Sequence, residues 1–167
     1  MKTRHLILVL LSIIIWTTSC GSTSSHPQHL IQATVSRVFD GDTIAAQING
    51  KAEKIRLIGM DTPETKKPNT PVMYYGPEAS AYTQKRLEHQ QVELEFDVEE
   101  RDRYGRLLAY VWINRELFNR TLVQKGYARM YTFPPNVKYV ELFKEDQASA
   151  RKKNLGIWKD YDQAFKK

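Results

Sequence analysis

The sequence is poor in cysteine and histidine, two residue types that often build catalytic and metal sites. Its 167 residues include one cysteine, Cys20, so no disulfide can form within the chain, and a zinc site built on cysteines is excluded. The four histidines, at positions 5, 26, 29 and 89, all lie outside the carboxylate-rich motifs of the sequence. Internal repeats and low-complexity segments are also absent, and the length fits one domain of ordinary size.

The apolar run at the N-terminus is too short to cross a bilayer. LILVLLSIIIW, at residues 6–16, has 11 residues, whereas a membrane-spanning helix needs about 20. Because the run follows the short basic segment MKTRH, it is typical of the apolar region of a signal peptide. We therefore expect residues 1–20 to be a signal peptide and the mature protein to be exported.

The residues around Cys20 favour a lipoprotein. TTSC, at residues 17–20, precedes Gly21 and resembles a bacterial lipoprotein cleavage box, with Thr17 in place of the usual leucine. In this interpretation Cys20 is lipidated and anchors the chain to a membrane, in the periplasm or at the cell surface, and residues 21–29 are a flexible tether. The alternative is an ordinary cleaved signal with an incidental cysteine, which would give a secreted protein.

Positive charge is in excess. The formal net charge is +6 and the isoelectric point is about 9.4, which favours polyanionic partners such as nucleic acid or an anionic membrane. Apolar residues make up 41% of the chain and charged residues 26%, as expected for a globular domain with a true core.

Alternating apolar and β-branched residues predict a β-rich domain over residues 30–160. Five strands are expected, at 30–39, 43–48, 51–60, 92–98 and 107–113, with a hairpin turn at Asn49–Gly50 between the second and the third. Three helices are expected, at 76–89, 117–127 and 139–154. Five strands with a helix between the third and fourth match an α+β fold, a five-stranded OB-fold barrel with three helices, followed by a C-terminal tail at 161–167.

Four polar motifs lie at strand ends or in the loops between strands, where functional sites are normally built. They are DGDT (40–43), Arg56, DTPE (61–64) and DRYGR (102–106). Taken singly, each has a structural interpretation: a hairpin turn, an internal ion pair, a turn cap and a solvated charged loop. Together they favour a functional site over four separate structural features, because they combine carboxylates, which bind cations, with arginines, which bind anions.

The carboxylates suit a cation and the arginines suit an anion. Asp42 and Asp61 could share a hard cation, with the Thr62 carbonyl and water completing an all-oxygen shell of the kind that suits Ca²⁺. Arg56 and Arg106 carry planar guanidinium forks that fit phosphate oxygens.

The proton acceptor of such a site is predicted to be a carboxylate. No histidine lies in the four motifs, which counts against a histidine-based nuclease or phosphodiesterase. Glu64 is separate from the two proposed metal ligands and could hold a water molecule for attack on phosphorus.

The segments DGDT, IRLIGMDTPETKKP, YGPEASAYT and DRYGRLLAY, in this order, resemble those of the staphylococcal nuclease family. The resemblance covers most of the predicted domain. It implies a five-stranded OB-fold barrel with three helices that hydrolyses DNA and RNA with Ca²⁺ and leaves 3′-phosphate products.

The resemblance also implies a role for each residue of the site. The implied calcium ligands are Asp42, Asp61 and the carbonyl of Thr62. The implied catalytic residues are Arg56, Glu64 and Arg106. The implied substrate contacts are Arg103, which stands where the family more often has lysine, and Tyr104, both at the terminal phosphate, with Tyr131 near an aromatic residue that packs on the nucleotide.

Substrate choice is expected to be loose. Phosphate contacts and stacking aromatic rings are largely indifferent to sequence, so we expect a monomer that cuts DNA and RNA, with single strands and frayed duplexes cut best. Two alternatives remain open at this point. One is a non-catalytic OB-fold module that binds nucleic acid, and the other is a surface lipoprotein whose barrel binds a protein or a glycan.

Overall fold

The computed structural model describes residues 30–65 and 71–165. The predicted signal peptide, the tether and the lipidation site at Cys20 lie outside these residues. Within the described part of the chain, no helix is long and apolar enough to cross a membrane.

Five strands form a closed barrel, which confirms the predicted fold class. They are β1 (Ile31–Val38), β2 (Thr43–Ile48), β3 (Lys51–Leu57), β5 (Gln91–Arg101) and β6 (Leu107–Ile113). Neighbours pair antiparallel in the order β3-β2-β1-β5-β6, and β6 then pairs with β3 in parallel, which closes the sheet on itself. The predicted hairpin turn between β2 and β3 is also present, with positive φ at Asn49 (50°) and Gly50 (81°).

Three short strands complete the sheets. β7 (Glu116–Leu117) pairs with the end of β6, and β4 (Met60–Asp61) forms a separate two-stranded sheet with β8 (Arg129–Met130). The β4–β8 sheet lies directly after β3, so it carries the chain from the barrel into the second acidic motif.

Helices pack around the barrel and cover its core. They are α1 (Gly76–Leu87), α2 (Phe118–Gln124), α3 (Val140–Lys152) and α4 (Tyr161–Phe165), with a 3₁₀ turn at Gly156–Lys159. Fully buried barrel residues such as Val35, Ile55 and Leu94 belong to the same apolar cluster as Leu87 of α1 and Phe118 of α2. This burial supplies the main driving force for folding.

The C-terminal segment differs from its prediction. It was expected to be a tail beyond residue 160, but Tyr161–Phe165 forms the fourth helix, with Ala164 buried. The Tyr161 ring stacks on Trp158 at 4.9 Å between centroids, and Phe165 lies under the guanidinium of Arg129. The contact with Arg129, which comes from a distant part of the chain, helps to order a segment that is too short to show a helical pattern.

We predict that Gly59, between β3 and β4, cannot be replaced without a large loss of stability. Its φ is +80°, and a Cβ there would lie 2.4 Å from the ring of Phe143. Gly59→Ala combines an unfavourable backbone conformation with overpacking, so the free energy of unfolding should fall by about 3 kcal/mol in urea titrations.

Gly50→Ala is the matched control. Gly50 has nearly the same φ, +81°, but a Cβ there would meet nothing within 4 Å. Only the backbone cost applies, about 1 kcal/mol. Equal losses for the two variants would contradict the proposed crowding against Phe143.

Candidate active site

Strand pairing brings the first, second and fourth motifs of the site together. In the β2–β3 pair, Thr43 lies opposite Arg56, and in the parallel β3–β6 pair Arg56 lies beside Leu108. The main-chain N–H of Leu57 also donates to the carbonyl of Asp42 at 2.8 Å. The DGDT turn, the end of β3 and the start of β6 therefore meet at one rim of the barrel.

The Asp42 carboxylate lies below this rim and is almost fully buried. Its Oδ1 accepts hydrogen bonds from an Arg56 guanidinium nitrogen and, at 3.1 Å, from the Thr43 hydroxyl. Its Oδ2 accepts from the main-chain N–H and from the hydroxyl of Thr62, both at 3.0 Å. A buried carboxylate is tolerated only when it is paired in this way, so Asp42 fixes the positions of the residues around it.

Arg56 links the two predicted metal ligands. Besides its contact with Asp42, its Nη2 donates to Asp61 Oδ1 at 2.8 Å. The other oxygen of Asp61, Oδ2, accepts from Nη2 and Nε of Arg129 at 3.0 and 3.2 Å. The result is a row of alternating charges along the rim: Asp42, Arg56, Asp61 and Arg129.

Arg129 was not predicted from the sequence. It lies in β8, where it faces Asp61 across the two-residue β4–β8 pair. A strand of two residues carries no periodic pattern, so the sequence offered no signal for this contact.

Arg106 is held by the turn that precedes it. Asp102 and Arg106 are joined by a main-chain hydrogen bond of 3.0 Å, and Gly105 makes the turn at φ +80°. Arg106 Nε donates to Asp102 Oδ2 at 2.7 Å. Burial raises the pKa of Asp102, but the hydrogen bonds from Arg106 and Tyr104 outweigh it and hold that pKa below its usual range. Asp102 is therefore a stable anion at neutral pH that orients Arg106.

Arg103 and Tyr104 form the exposed tip of the same turn. Arg103 Nη2 donates to the Tyr104 hydroxyl at 2.7 Å, and the guanidiniums of Arg103 and Arg106 lie 4.8 and 5.7 Å from the centroid of the Tyr104 ring. Tyr104 as a whole remains 70% exposed. It offers an aromatic face beside two cations.

Glu64 lies in the segment after β4. Its main chain is fixed by a hydrogen bond from the Met73 N–H to its carbonyl at 3.0 Å. Its side-chain Oε1 accepts from the N–H of Thr65 at 2.9 Å. Glu64 follows Asp61 by three residues and faces the same cleft.

One open cleft of about 780 Å³ connects these groups. The predicted site residues that line it are Arg56, Asp61, Glu64, Arg103, Tyr104, Arg106 and Tyr131. Asp42 and Thr62 are buried behind this lining. Phe133, which was not predicted, also lines the cleft; it is 64% exposed and packs edge-on against Tyr131 at 4.8 Å. The structure thus brings all nine predicted residues to one place, while their individual roles stay predictions.

The oxygen donors at the rim are compatible with a bound cation. Among residues 30–65 and 71–165, no three acidic, histidine or cysteine side chains group closely enough to enclose a metal by themselves. Asp42 Oδ1 and Asp61 Oδ1 nevertheless converge on one cationic group, the guanidinium of Arg56. Two carboxylates with a main-chain oxygen and water form a hard-ligand set of the type used for Ca²⁺.

The turn before Asp42 contains a second, partly buried carboxyl group, that of Asp40. Burial raises the pKa of Asp40, although the nearby positive charge of Arg56 works in the opposite direction. Asp40 Oδ1 accepts the N–H of Asp42 at 3.1 Å, which fixes the turn that delivers Asp42.

The fold and the cleft are together those of an OB-fold protein suited to an anionic ligand. Two arginines are held in fixed positions by ion pairs with carboxylates, and exposed aromatic residues line the same cleft. Comparison with known proteins gives the family.

The family model described as "Staphylococcal nuclease homologue" matches residues 54–160. Thermonuclease of Staphylococcus intermedius is 54% identical over 124 residues, which cover 74% of this chain and 74% of that protein. Thermonuclease of Staphylococcus hyicus is 52% identical over 124 residues, covering 74% and 73%. Endonuclease YncB of Bacillus subtilis is 42% identical over 137 residues, covering 81% and 65%.

The chain belongs to the staphylococcal nuclease family. It is a nuclease, a phosphodiester hydrolase that acts on nucleic acids. The predicted family and enzyme class are thereby confirmed.

Proposed function

We propose that the protein is a calcium-dependent extracytoplasmic nuclease that hydrolyses DNA and RNA with low sequence specificity and leaves 3′-phosphate products. The observation that carries the proposal is that Arg56, Glu64 and Arg106 line one cleft together with Asp61. A phosphodiester in that cleft would meet two guanidinium forks and a carboxylate base.

Each residue then has a defined task in the reaction. Arg56 and Arg106 donate hydrogen bonds to the non-bridging phosphate oxygens and stabilise the charge that builds on them in the transition state. Glu64 accepts a proton from the water that attacks phosphorus. The new bond joins the water oxygen to phosphorus, the bond from phosphorus to the 5′-oxygen breaks, and the 5′-oxygen takes a proton from solvent.

Asp42, Asp61 and the Thr62 carbonyl would hold the calcium ion, which when bound supplies positive charge beside the phosphate. The structural basis is the convergence of the two carboxylates on the Arg56 guanidinium. Thr62 is tied to Asp42 by two hydrogen bonds, so it belongs to the same cluster.

Loose substrate choice follows from the lining of the cleft. Tyr104 and Tyr131 expose aromatic faces, and stacking on such faces is tolerant of base identity. Arg103 at the exposed tip would meet the terminal phosphate. Unpaired bases stack most readily, so single strands and frayed duplexes of DNA and RNA are the proposed preferred substrates of a monomer.

We predict that Arg56, Arg106 and Glu64 are each required for rapid turnover. Arg56→Lys and Arg106→Lys keep the charge but lose the planar fork, and each should lower kcat by about 100-fold, since one transition-state donor contributes roughly 3 kcal/mol. Glu64→Gln should lose most of kcat and still bind nucleotide. The measurements are kcat by release of acid-soluble nucleotides and Kd by titration with a fluorescent oligonucleotide.

Arg37→Lys is the matched control for the arginine variants. Arg37 is exposed on β1, where its guanidinium lies 5.0 Å from the Phe39 ring centroid, and it does not line the cleft. Its kcat should equal that of the wild type. A near-wild-type rate for Arg56→Lys or Arg106→Lys would remove that residue from the mechanism.

We predict that the nuclease needs Ca²⁺. Ca²⁺ accepts flexible shells of oxygen ligands, whereas Mg²⁺ demands tight octahedral geometry, so the rate with Ca²⁺ should exceed the rate with Mg²⁺ by at least about tenfold. A chelator should abolish activity, and added Ca²⁺ should restore it. Equal rates with both ions would argue for a different metal site, and binding of nucleic acid without any cleavage would favour the non-catalytic module.

We propose further that Cys20 is lipidated and that the protein is anchored to a membrane, and we predict that Cys20→Ala releases it. The basis is the TTSC segment behind an apolar run, as derived from the sequence. Fractionation of cells should show the wild type with the membranes and Cys20→Ala in the soluble exported fraction. Release of both forms to the same extent would indicate a plain secreted protein.

A further inference from the structure

We infer that Arg129 is a positioning residue that holds Asp61 with a single oxygen directed toward the cation position, and that helix α4 keeps Arg129 in place. The inference rests on the proposed function, because it takes Asp61 to be a calcium ligand. It adds two parts of the chain that the cleft motifs do not include, β8 and the last helix.

The two oxygens of Asp61 have separate partners. Oδ1 accepts from Arg56, and Oδ2 accepts two hydrogen bonds from Arg129, at 3.0 and 3.2 Å. The side chain of Asp61 is 22% exposed and that of Arg129 is 26% exposed, so solvent screens the pair only in part. Rotation of the carboxylate would break both contacts at once.

The main chains of the pair are fixed as well. Asp61 and Arg129 are direct partners in the β4–β8 sheet, and the N–H of Tyr131 donates to the Gly59 carbonyl at 3.1 Å. The distance between the two side chains is therefore set by the sheet and not by a flexible loop. The double hydrogen bond from Arg129 to Asp61 is therefore held in place by the paired main chains.

Helix α4 holds the other side of the Arg129 guanidinium. The guanidinium carbon lies 3.9 Å from the ring centroid of Phe165 and 5.1 Å from that of Tyr131. Arg129 Nη1 donates to the Tyr161 hydroxyl at 3.3 Å, and the Tyr161 ring is itself stacked on Trp158. Cation–π contacts and a hydrogen bond together restrict the guanidinium to one orientation.

The consequence concerns how many oxygens Asp61 can offer a cation. Oδ2 accepts two hydrogen bonds from Arg129, which use both of its lone pairs, whereas Oδ1 accepts only one, from Arg56, so Asp61 can bind a cation through Oδ1 alone. Ca²⁺ accepts carboxylates with one or with two oxygens. Loss of Arg129 would let Asp61 turn and bind with both oxygens, and would also remove a like charge near the ion, so the ion should bind more tightly but in a different position.

We therefore predict opposite effects of Arg129→Gln on calcium binding and on turnover. The Kd for Ca²⁺, measured by calorimetry without nucleic acid, should fall by about threefold or more, since the ion gains a second oxygen ligand from Asp61. The kcat at saturating Ca²⁺ should fall by about tenfold, since a small displacement of reacting groups is costly, while KM changes little. Phe165→Ala should shift both quantities in the same directions by smaller factors.

Two further variants separate positioning from stability. Arg129→Lys keeps the charge but offers no fork, so its kcat and Kd should lie between those of the wild type and Arg129→Gln; it also carries the test if Arg129→Gln does not fold. Arg37→Gln removes an exposed arginine of β1 that contacts neither Arg129 nor the residues that hold it and does not line the cleft, and it should change neither quantity.

The outcomes distinguish this inference from the proposed function. If the wild type binds Ca²⁺ and Arg129→Gln has unchanged Kd and kcat, the positioning role is wrong and the calcium site stands. If Arg129→Gln weakens Ca²⁺ binding and lowers kcat together, Arg129 is a structural support only, and the inference is overturned. If the wild type binds no Ca²⁺, the calcium part of the proposed function fails, and the inference fails with it.

Discussion

The carboxylate of Asp42 is buried under the barrel rim, and its need for partners organises the site. Four hydrogen bonds reach its two oxygens, from Arg56, Thr43 and the two donors of Thr62. Leaving such a carboxylate unpaired would cost several kcal/mol, so its burial also fixes the positions of its hydrogen-bond partners. Through Arg56 the constraint reaches Asp61, and through Asp61 it reaches Arg129.

Closure of the barrel brings Arg56 and Arg106 into the same cleft. Arg56 and Arg106 are distant in sequence, and only the parallel pairing of β3 with β6 brings them to one cleft, because it sets Arg56 beside Leu108, two residues after Arg106. An open sheet with the same antiparallel meander would leave the two arginines at opposite edges. The pairing of β3 with β6 that closes the barrel therefore also forms the cleft.

Much of this could be predicted from the sequence, and the exceptions have a common cause. Alternating apolar residues predicted all five barrel strands, and Asn49–Gly50 predicted the turn between two of them, because strand periodicity and turn chemistry are local properties. The β4–β8 pair and helix α4 were missed. Each is two to five residues long and is held by contacts between distant segments, such as Arg129 with Phe165, which no local pattern reports. For the same reason Arg129 was absent from the predicted site, although the nine residues that were predicted from the motifs and the family resemblance do meet there.

Three arginines in or beside the cleft share a feature that bears on how a phosphate could be recognised. Arg56, Arg106 and Arg129 are each held by a carboxylate, so little of the protein must rearrange when an anion binds, which is the condition for strong electrostatic stabilisation of a transition state. A carboxylate partner also competes with phosphate for the same charge. The geometry at Arg106 reduces this conflict, because the bond to Asp102 uses Nε, and a guanidinium has five N–H donors. Asp102 can thus orient the fork while the outer nitrogens of Arg106 remain suited to phosphate oxygens.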